Sequence, residues 1–237
     1  MAGKETFAKN VELVAYHDLE GKPGFQMAMQ EVGGRYYLYL CHFKASGWAI
    51  IDVTDPAKPE YLKFVPGPDL KGQTTPKLQV ADGIMITALG GSLPMLHGAG
   101  FDDPYEEGIY IWDVKDPANP RWLSHWPTGG PLGVHRFFYN GGRYVHLSAS
   151  CKGFSGFIYR IVDIADPTKP VEAGRWWVPE QWAAGYPETR AVNIEALLDG
   201  PMMHGPAYPK GDLAYVSYGG SGMIILDISD ISLPRLV

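Results

Sequence analysis

The stretch Gly222-Met-Ile-Ile-Leu-Asp227 and the residues after it, Ile228-Ser-Asp230-Ile-Ser-Leu-Pro234, form one of four copies of a single pattern. Each copy consists of a glycine, an apolar run, an aspartate and a turn that contains proline. The earlier copies occupy residues 47–59, 108–120 and 156–170. A pattern that recurs roughly every fifty to sixty-five residues indicates stacked copies of one supersecondary unit. We therefore predict the fold from the repeat.

The third copy illustrates how one unit is built. A predicted strand from His135 to Tyr139 is followed by Asn140-Gly141-Gly142, and such turns favour a hairpin with the next strand. Two further strands flank Asp166-Pro167-Thr-Lys-Pro170, because proline fixes the backbone of a turn and cannot donate into a strand ladder. Four antiparallel strands per unit predict an all-β fold, a β-propeller built of four-stranded antiparallel blades. An all-β sandwich is the alternative, although sandwiches give evenly spaced strands without a repeated motif.

The phrase Gly222-Met-Ile-Ile-Leu-Asp227-Ile-Ser-Asp230 resembles the LVIVD repeat family. The resemblance extends from residue 10 to residue 237 and implies stacked β-propeller blades. Because it is a resemblance between repeats, it implies a fold and no particular chemistry.

We predict a single domain over residues 1–237, in which the repeats cover 25–66, 74–127, 133–179 and 203–237. Residues 10–19 resemble the outer strands that follow the proline turns. We expect them to form the outer strand of the last blade and so to close the ring. The last residues, Pro234-Arg-Leu-Val237, stop where a fourth outer strand would begin. Either four blades close the ring with residues 10–19, or the four repeats are part of a longer propeller.

Composition excludes some classes of function. The 237 residues are 46% hydrophobic and 13% aromatic, which is enough to form a core. The net charge is −6 without a stripe of lysine and arginine, so nucleic acid is not an expected partner. No apolar run is long enough to cross a bilayer or to form an export signal, so we expect no membrane partner and a cytoplasmic location. The expected ligand is a small molecule.

Strand direction divides the loops between two faces of the ring. The proline turns and glycine hairpins share one face, and the irregular loops share the other. Long variable loops on a regular scaffold are where binding and catalysis usually occur. Four histidines are predicted on this second face, namely His42, His97, His135 and His204.

The histidines are candidate metal ligands. His135 and His204 begin the innermost strands of two units, and each is followed four residues later by a tyrosine, Tyr139 and Tyr208. We predict that His97, His135 and His204 bind a divalent transition metal, zinc or iron, because neutral imidazole suits these ions. The alternative is that they only make structural hydrogen bonds. Neither a His-Glu-x-x-His helix nor a Cys-x-x-Cys pair supports the metal.

Other residues of the same loops complete the predicted site. Glu188 and His42 are the candidate catalytic acid-base groups. Lys152 and Arg190, together with Lys44 and Arg136, are expected to bind a carboxylate or a phenolate of the substrate. Trp182 and Tyr218 belong to a group of aromatic residues that suits an apolar pocket or a protein-binding rim.

Two functions remain open from the sequence. The first is a small-molecule enzyme with a histidine-lined site at the mouth of the propeller channel, acting as a hydrolase, a lyase or an oxidase. The second is a propeller that serves as a binding platform without turnover, which is a common use of repeat scaffolds.

Overall fold

The computed structural model describes residues 9–42, 45–74, 77–91, 98–100, 102–182 and 201–237. Its strands form four antiparallel sheets of four strands each, and in every sheet the strands follow chain order. The fold is therefore all-β, with propeller-type blades, as the repeat predicts. Within the described ranges, helical geometry is limited to three short turns, Leu19–Gly21, Pro179–Gln181 and Gly219–Ser221. No described helix is long and apolar enough to cross a bilayer.

Each sheet is called a blade, numbered in chain order. Blade 1 contains β1 (Gly24–Val32), β2 (Arg35–His42), β3 (Gly47–Asp52) and β4 (Glu60–Pro66). Blade 2 contains β5 (Leu78–Ala81), β6 (Ile84–Leu89), β7 (Gly108–Asp113) and β8 (Arg121–Trp126). Blade 3 contains β9 (Val134–Phe138), β10 (Tyr144–Ala149), β11 (Ile158–Asp163) and β12 (Val171–Trp176). Blade 4 contains β13 (Tyr208–Lys210), β14 (Leu213–Ser217), β15 (Met223–Asp227) and β16 (Arg235–Leu236).

The repeated aspartate closes the turn after the third strand of each blade. Its Oδ1 accepts a hydrogen bond from the backbone N–H two residues later, at 2.8–3.0 Å, in all four copies: Asp52, Asp113, Asp163 and Asp227. The second turn aspartate does the same, as between Asp166 and Thr168 N at 3.0 Å. Short acidic side chains are favoured in turns because they accept such local bonds. The motif is therefore structural.

The core lies between the blades. Trp48 and Leu78 belong to the apolar cluster between blades 1 and 2, and Ile109 and Phe137 belong to the cluster between blades 2 and 3. The cluster between blades 3 and 4 includes Tyr159. Each blade therefore depends on its neighbours for burial, as in other repeat proteins.

The predicted closing strand over residues 10–19 is not observed. Residues 11–18 lie in no strand, and the outer position of blade 4 is taken by β16, with Leu226 opposite Leu236. Because β16 already pairs with the edge of β15, that position is filled by the chain's own carboxyl-terminal residues. The amino-terminal segment instead contacts blade 1, where the His17 ring stacks on Tyr61 at 5.4 Å.

Candidate functional site

A β-bulge places His135 outside the strand ladder. In the pairing of β9 with β10, Arg136 lies opposite Ser148 and Val134 lies opposite Ala149, so His135 is the extra residue. Bulges re-aim side chains and are frequent beside active sites. The same irregularity occurs in β1, where Phe25 and Gln26 lie between the paired residues Gly24 and Met27.

The structure brings His135 and His204 together. Their ring centroids lie 4.8 Å apart with an interplanar angle of 48°. The other side of His135 stacks on Phe157, at 5.1 Å and 21°. Below them, Phe157 packs with Leu132 and Met202 in a small buried apolar cluster. The two imidazoles therefore sit on an apolar base between blades 3 and 4.

Burial keeps these imidazoles neutral. It lowers the pKa of His135 to about 3, and the charges of Lys77, His204 and Arg136 add to the effect. The pKa of His204 is lowered by burial first, then by Arg136 and Lys77. Both rings are therefore unprotonated at neutral pH, which leaves each with one nitrogen that accepts a proton or a hydrogen bond.

Two cations stand beside the histidines. Lys77 is buried, and burial together with the nearby Arg136 lowers its pKa to about 8. Its Nζ lies 5.7 Å from the centroid of the Phe25 ring, which is a cation–π distance. We call Lys77, His135, Arg136 and His204 the inner-strand cluster. Like charges placed close together in a buried site destabilise each other unless an anion lies between them.

Three buried polar atoms at this place have no hydrogen-bond partner in the described part of the chain. They are Gln26 Oε1, His135 Nε2 and Arg136 Nε. Buried polar groups in folded proteins are almost always hydrogen-bonded, and exceptions need an explanation such as a missing ligand. His135 and Arg136 are successive residues of the inner strand of blade 3, so one small bound molecule or ion could contact both of these atoms.

The sequence predicts Arg136 as an anion-binding residue, but it did not identify Lys77 or Gln26. The repeat contains a signal for these residues. Gln26, Lys77 and Arg136 each directly precede a residue that occupies the same pairing position of the inner strand. These following residues are Met27, which pairs with Leu40, Leu78, which pairs with Thr87, and Phe137, which pairs with Leu147. The same pairing corrects one detail. Tyr208 lies opposite Tyr215 as Phe138 lies opposite His146, so Tyr208 corresponds to Phe138 and not to Tyr139.

His42 lies apart from the inner-strand cluster. It is the last residue of β2, and its neighbour Cys41 faces blade 2 within the cluster shared by those blades. Successive residues of a strand point to opposite faces, so His42 faces away from blade 2. Its ring packs against Phe64 at 5.5 Å, and burial is the main cause of its lowered pKa. In this structure His42 is a buried residue of blade 1.

The remaining predicted residues have different places. Tyr218 is fully buried, and its hydroxyl donates to Gln181 Oε1 at 2.5 Å, so it supports the loop after β12. Trp182 is 56% exposed and contacts Phe154 at 5.0 Å. Lys152 lies in the turn after β10. The predicted residues Lys44, His97, Glu188 and Arg190 lie outside the described residues.

The metal prediction stays untested. Among the described residues, no three His, Cys, Asp or Glu side chains lie close enough to hold a metal ion. His97, the third predicted ligand, lies outside these ranges. His135 and His204 alone supply two imidazoles, and the positive charges of Lys77 and Arg136 oppose a divalent cation beside them.

Acid is expected to destabilise the protein through His135. Its pKa is about 3 in the folded protein and near 6.5 in an unfolded chain, so below pH 6.5 the unfolded state binds more protons. Stability is therefore lost as the pH falls, by about 2 kcal/mol from this residue between pH 6.5 and 5. Urea unfolding at several pH values measures the slope. His135→Phe, which copies the Phe25 of blade 1, should flatten it, and equal slopes in both proteins would contradict the assignment.

Comparisons with known proteins support the repeat and the fold. The LVIVD repeat family model matches residues 159–177 and 210–237, in blades 3 and 4, which confirms the predicted resemblance for those segments. No curated protein sequence matches the chain.

Solved structures also resemble the chain. A functionally unknown protein from Desulfotomaculum acetoxidans DSM 771 matches with a TM-score of 0.53 and 12% identity over 90% of this chain and 56% of the other. The N-terminal domain of Nup159 matches with a TM-score of 0.47 and 8% identity, over 88% and 46%. The GH43_1 enzyme from Xanthomonas citri complexed with xylose matches with a TM-score of 0.46 and 12% identity, over 91% and 73%. At these identities the likeness concerns the fold alone. The chain spans about half the length of the first two.

Proposed function

We propose that the protein is a small-molecule enzyme whose substrate carries an anionic group that binds at the inner-strand cluster. The observation that carries this proposal is the pair of buried, unpartnered nitrogen atoms beside two cations, His135 Nε2 and Arg136 Nε. A carboxylate or phenolate would accept hydrogen bonds from Arg136 and Lys77 and would separate their charges. Phe25 and Phe157 supply apolar surface for the rest of the molecule.

The histidines supply the acid-base chemistry. Burial is the main cause of the low pKa of His135, and the positive charges of Lys77 and Arg136 lower it further, so a bound anion offsets the second cause. Binding therefore raises the pKa of His135 and His204 toward the neutral range, where general acid-base catalysis is most effective. Hydrolysis, elimination and oxidation remain the candidate reaction classes. The alternative role for these histidines is to bind a zinc or iron ion together with His97 in place of acid-base catalysis, and elemental analysis of the purified protein tests it.

One observation favours the alternative, a binding platform without turnover. The exposed Trp182 and the half-buried Phe154 and Trp177 form an aromatic group in the loops after β10 and β12, with ring centroids 4.9–6.5 Å apart. Exposed aromatic groups are common in binding surfaces. A ligand that binds at the inner-strand cluster and is recovered chemically unchanged after prolonged incubation would favour this alternative.

Anion binding at the inner-strand cluster can be measured by calorimetry. We expect the protein to bind benzoate or inorganic phosphate, and we expect Arg136→Met and Lys77→Met to weaken binding by about ten- to a hundredfold, because each removes a charge-assisted hydrogen bond. Titrations near pH 6 in buffers of different ionisation enthalpy should show proton uptake on binding, and this uptake should disappear in His135→Phe.

Arg143→Met is the matched control. Arg143 pairs with Asp163 at 2.6 Å on the other side of blade 3 and is 60% exposed, so its loss should leave binding unchanged. The proposal is wrong if the wild-type protein binds neither probe, or if the Arg136 and Lys77 variants bind as tightly as the Arg143 variant. Far-UV circular dichroism confirms that each variant is folded.

A further inference from the structure

Lys77 is a buried lysine without a counter-charge among the described residues. It is 9% exposed, whereas lysines in folded proteins are almost never buried unless they are paired. Its Nζ makes no ion pair or hydrogen bond within the described ranges, and it lies 5.7 Å from the centroid of the Phe25 ring. The exposed Lys71, in contrast, pairs with Asp103 at 3.0 Å. The amine of Lys77 is therefore enclosed by the protein without being neutralised by it.

The surroundings of Lys77 favour its neutral form. Burial is the main cause that lowers its pKa to about 8, and the charge of Arg136 lowers it further. About a tenth of the amine is then unprotonated at pH 7, compared with less than about one part in a thousand for an ordinary lysine. A neutral amine is a nucleophile, and a lysine that is desolvated or next to another cation is suited to attack a carbonyl group.

The two histidines of the inner-strand cluster can move the protons that such an attack requires. The rings of His135 and His204 lie 4.8 Å apart. Burial is the largest cause of the lowered pKa of each ring, and the charge of Lys77 adds to it, so both rings lie within electrostatic range of the ammonium. A neutral imidazole can accept a proton from the ammonium and pass it to an oxygen atom of the substrate.

We propose that Lys77 forms an imine with a 2-oxo acid bound at the inner-strand cluster. This inference rests on the proposed anion site and names its class of substrate. In a 2-oxo acid the carbonyl carbon is bonded to the carboxylate, so a molecule whose carboxylate binds Arg136 presents its carbonyl carbon to the neighbouring amine of Lys77. The rings of Phe25 and Phe157 suit an aromatic substituent on the same molecule.

Imine formation uses only groups of this cluster. An imidazole takes a proton from the ammonium of Lys77, and the amine nitrogen attacks the carbonyl carbon to form a C–N bond. A second proton then leaves the nitrogen. Both protons pass by way of the imidazoles to the carbonyl oxygen, which departs as water while the nitrogen electron pair completes the C=N bond. The product is a positively charged iminium group.

An iminium group favours elimination among the candidate reactions. It attracts the electron pair that remains when an imidazole removes a proton from the carbon next to the C=N bond. That pair passes through the resulting enamine and expels a leaving group from the following carbon, which departs with its own bonding pair. The site would therefore act as a lyase on 2-oxo acids, and hydrolysis of the iminium group by water would release the product and restore Lys77.

Trapping with sodium cyanoborohydride and phenylpyruvate tests the proposal. The reagent delivers a hydride to the iminium carbon and converts the imine to a stable secondary amine. Mass spectrometry of the protein and of its peptides should find one adduct per chain, on Lys77. At pH 7 this adduct should form about a hundredfold faster than one on the exposed Lys71, because more of the Lys77 amine is neutral. Its rate should reach half of its maximum near pH 8.

Three controls separate the imine from the anion site. Lys77→Arg keeps the positive charge, so it should still bind benzoate but form no adduct, and Lys77→Met should also form none. Lys71→Arg should be labelled like the wild-type protein. Phenyllactate has a hydroxyl group in place of the carbonyl group, so it should bind to the wild-type protein and block labelling.

The outcomes distinguish the two proposals. Binding of phenyllactate or benzoate without an adduct on Lys77 would overturn the imine and leave the anion site in place. Equal labelling of Lys71 and Lys77 would also overturn the imine, because it would show ordinary surface reactivity. If neither phenyllactate nor benzoate binds and no adduct forms, both proposals are wrong. Circular dichroism confirms that each variant is folded.

Discussion

Arg160→Met should lower the free energy of unfolding by about 3–5 kcal/mol, because it removes a buried cation from a network that joins two blades. Arg160 is 3% exposed. Its Nη1 donates to Thr128 O at 2.6 Å and to Ser150 O at 2.9 Å, and its Nη2 donates to Glu172 at 2.6 Å. The guanidinium also lies 4.5 Å from the centroid of the Trp126 ring. Methionine fills a similar volume but leaves two buried carbonyl groups without a donor.

An exposed arginine of the same blade gives the control for Arg160. Arg143 also pairs with an acidic residue, Asp163, at 2.6 Å, but it is 60% exposed. Because water solvates the charges of an exposed ion pair, Arg143→Met should lower the free energy of unfolding by less than about 1 kcal/mol. Denaturation in urea at pH 7 measures both variants. Equal losses would show that burial and the two carbonyl contacts of Arg160 contribute nothing to stability.

Trp48→Ala is expected to cost about 3–5 kcal/mol, the range for deletion of a large buried aromatic side chain. Trp48 is 1% exposed and makes edge-to-face contacts with Tyr39 at 5.8 Å and Trp112 at 5.5 Å. Its indole N–H has no hydrogen-bond partner in the described ranges, so the substitution breaks no hydrogen bond there. The loss comes from packing, and a cavity opens between blades 1 and 2.

Trp122 is the matched control for Trp48. It lies on the outer strand β8, is 54% exposed and contacts the Tyr110 ring at 5.9 Å. Since most of its surface already faces water, Trp122→Ala should cost about 1 kcal/mol or less. Chemical denaturation at one fixed protein concentration compares the two variants. A similar loss for both would mean that the cluster between blades 1 and 2 does not limit stability.

The blades could be predicted because their signals are local. The aspartate that ends each third strand bonds to a backbone N–H two residues later, as Asp163 does with Ala165 at 2.8 Å. Glycine and proline at the turns restrict the backbone within a few residues. Such a motif therefore marks the same structural element wherever it occurs in the chain.

The site was harder to predict because it depends on contacts between blades. His135 and His204 are 69 positions apart in the sequence. The bulge at His135 shifts the strand register by one residue, so Tyr208 corresponds to Phe138 and not to Tyr139, as equal spacing from the two histidines suggests. Lys77 looks like an ordinary surface residue in the sequence, and only its buried position in the structure shows otherwise. The sequence predicts His42 in a loop, but β2 continues through it.

The bulge in β9 has a consequence for how this scaffold diversifies. His135 pairs with no residue of β10, so its identity is not fixed by the hydrogen bonds of the sheet. At the corresponding irregularity of β1 the chain carries Phe25. One repeat can thus exchange an aromatic ring for an imidazole without altering its framework. Substitution of the bulge residue during evolution can therefore change the ligand specificity of a blade. Saturation mutagenesis of positions 25 and 135 applies the same change in the laboratory.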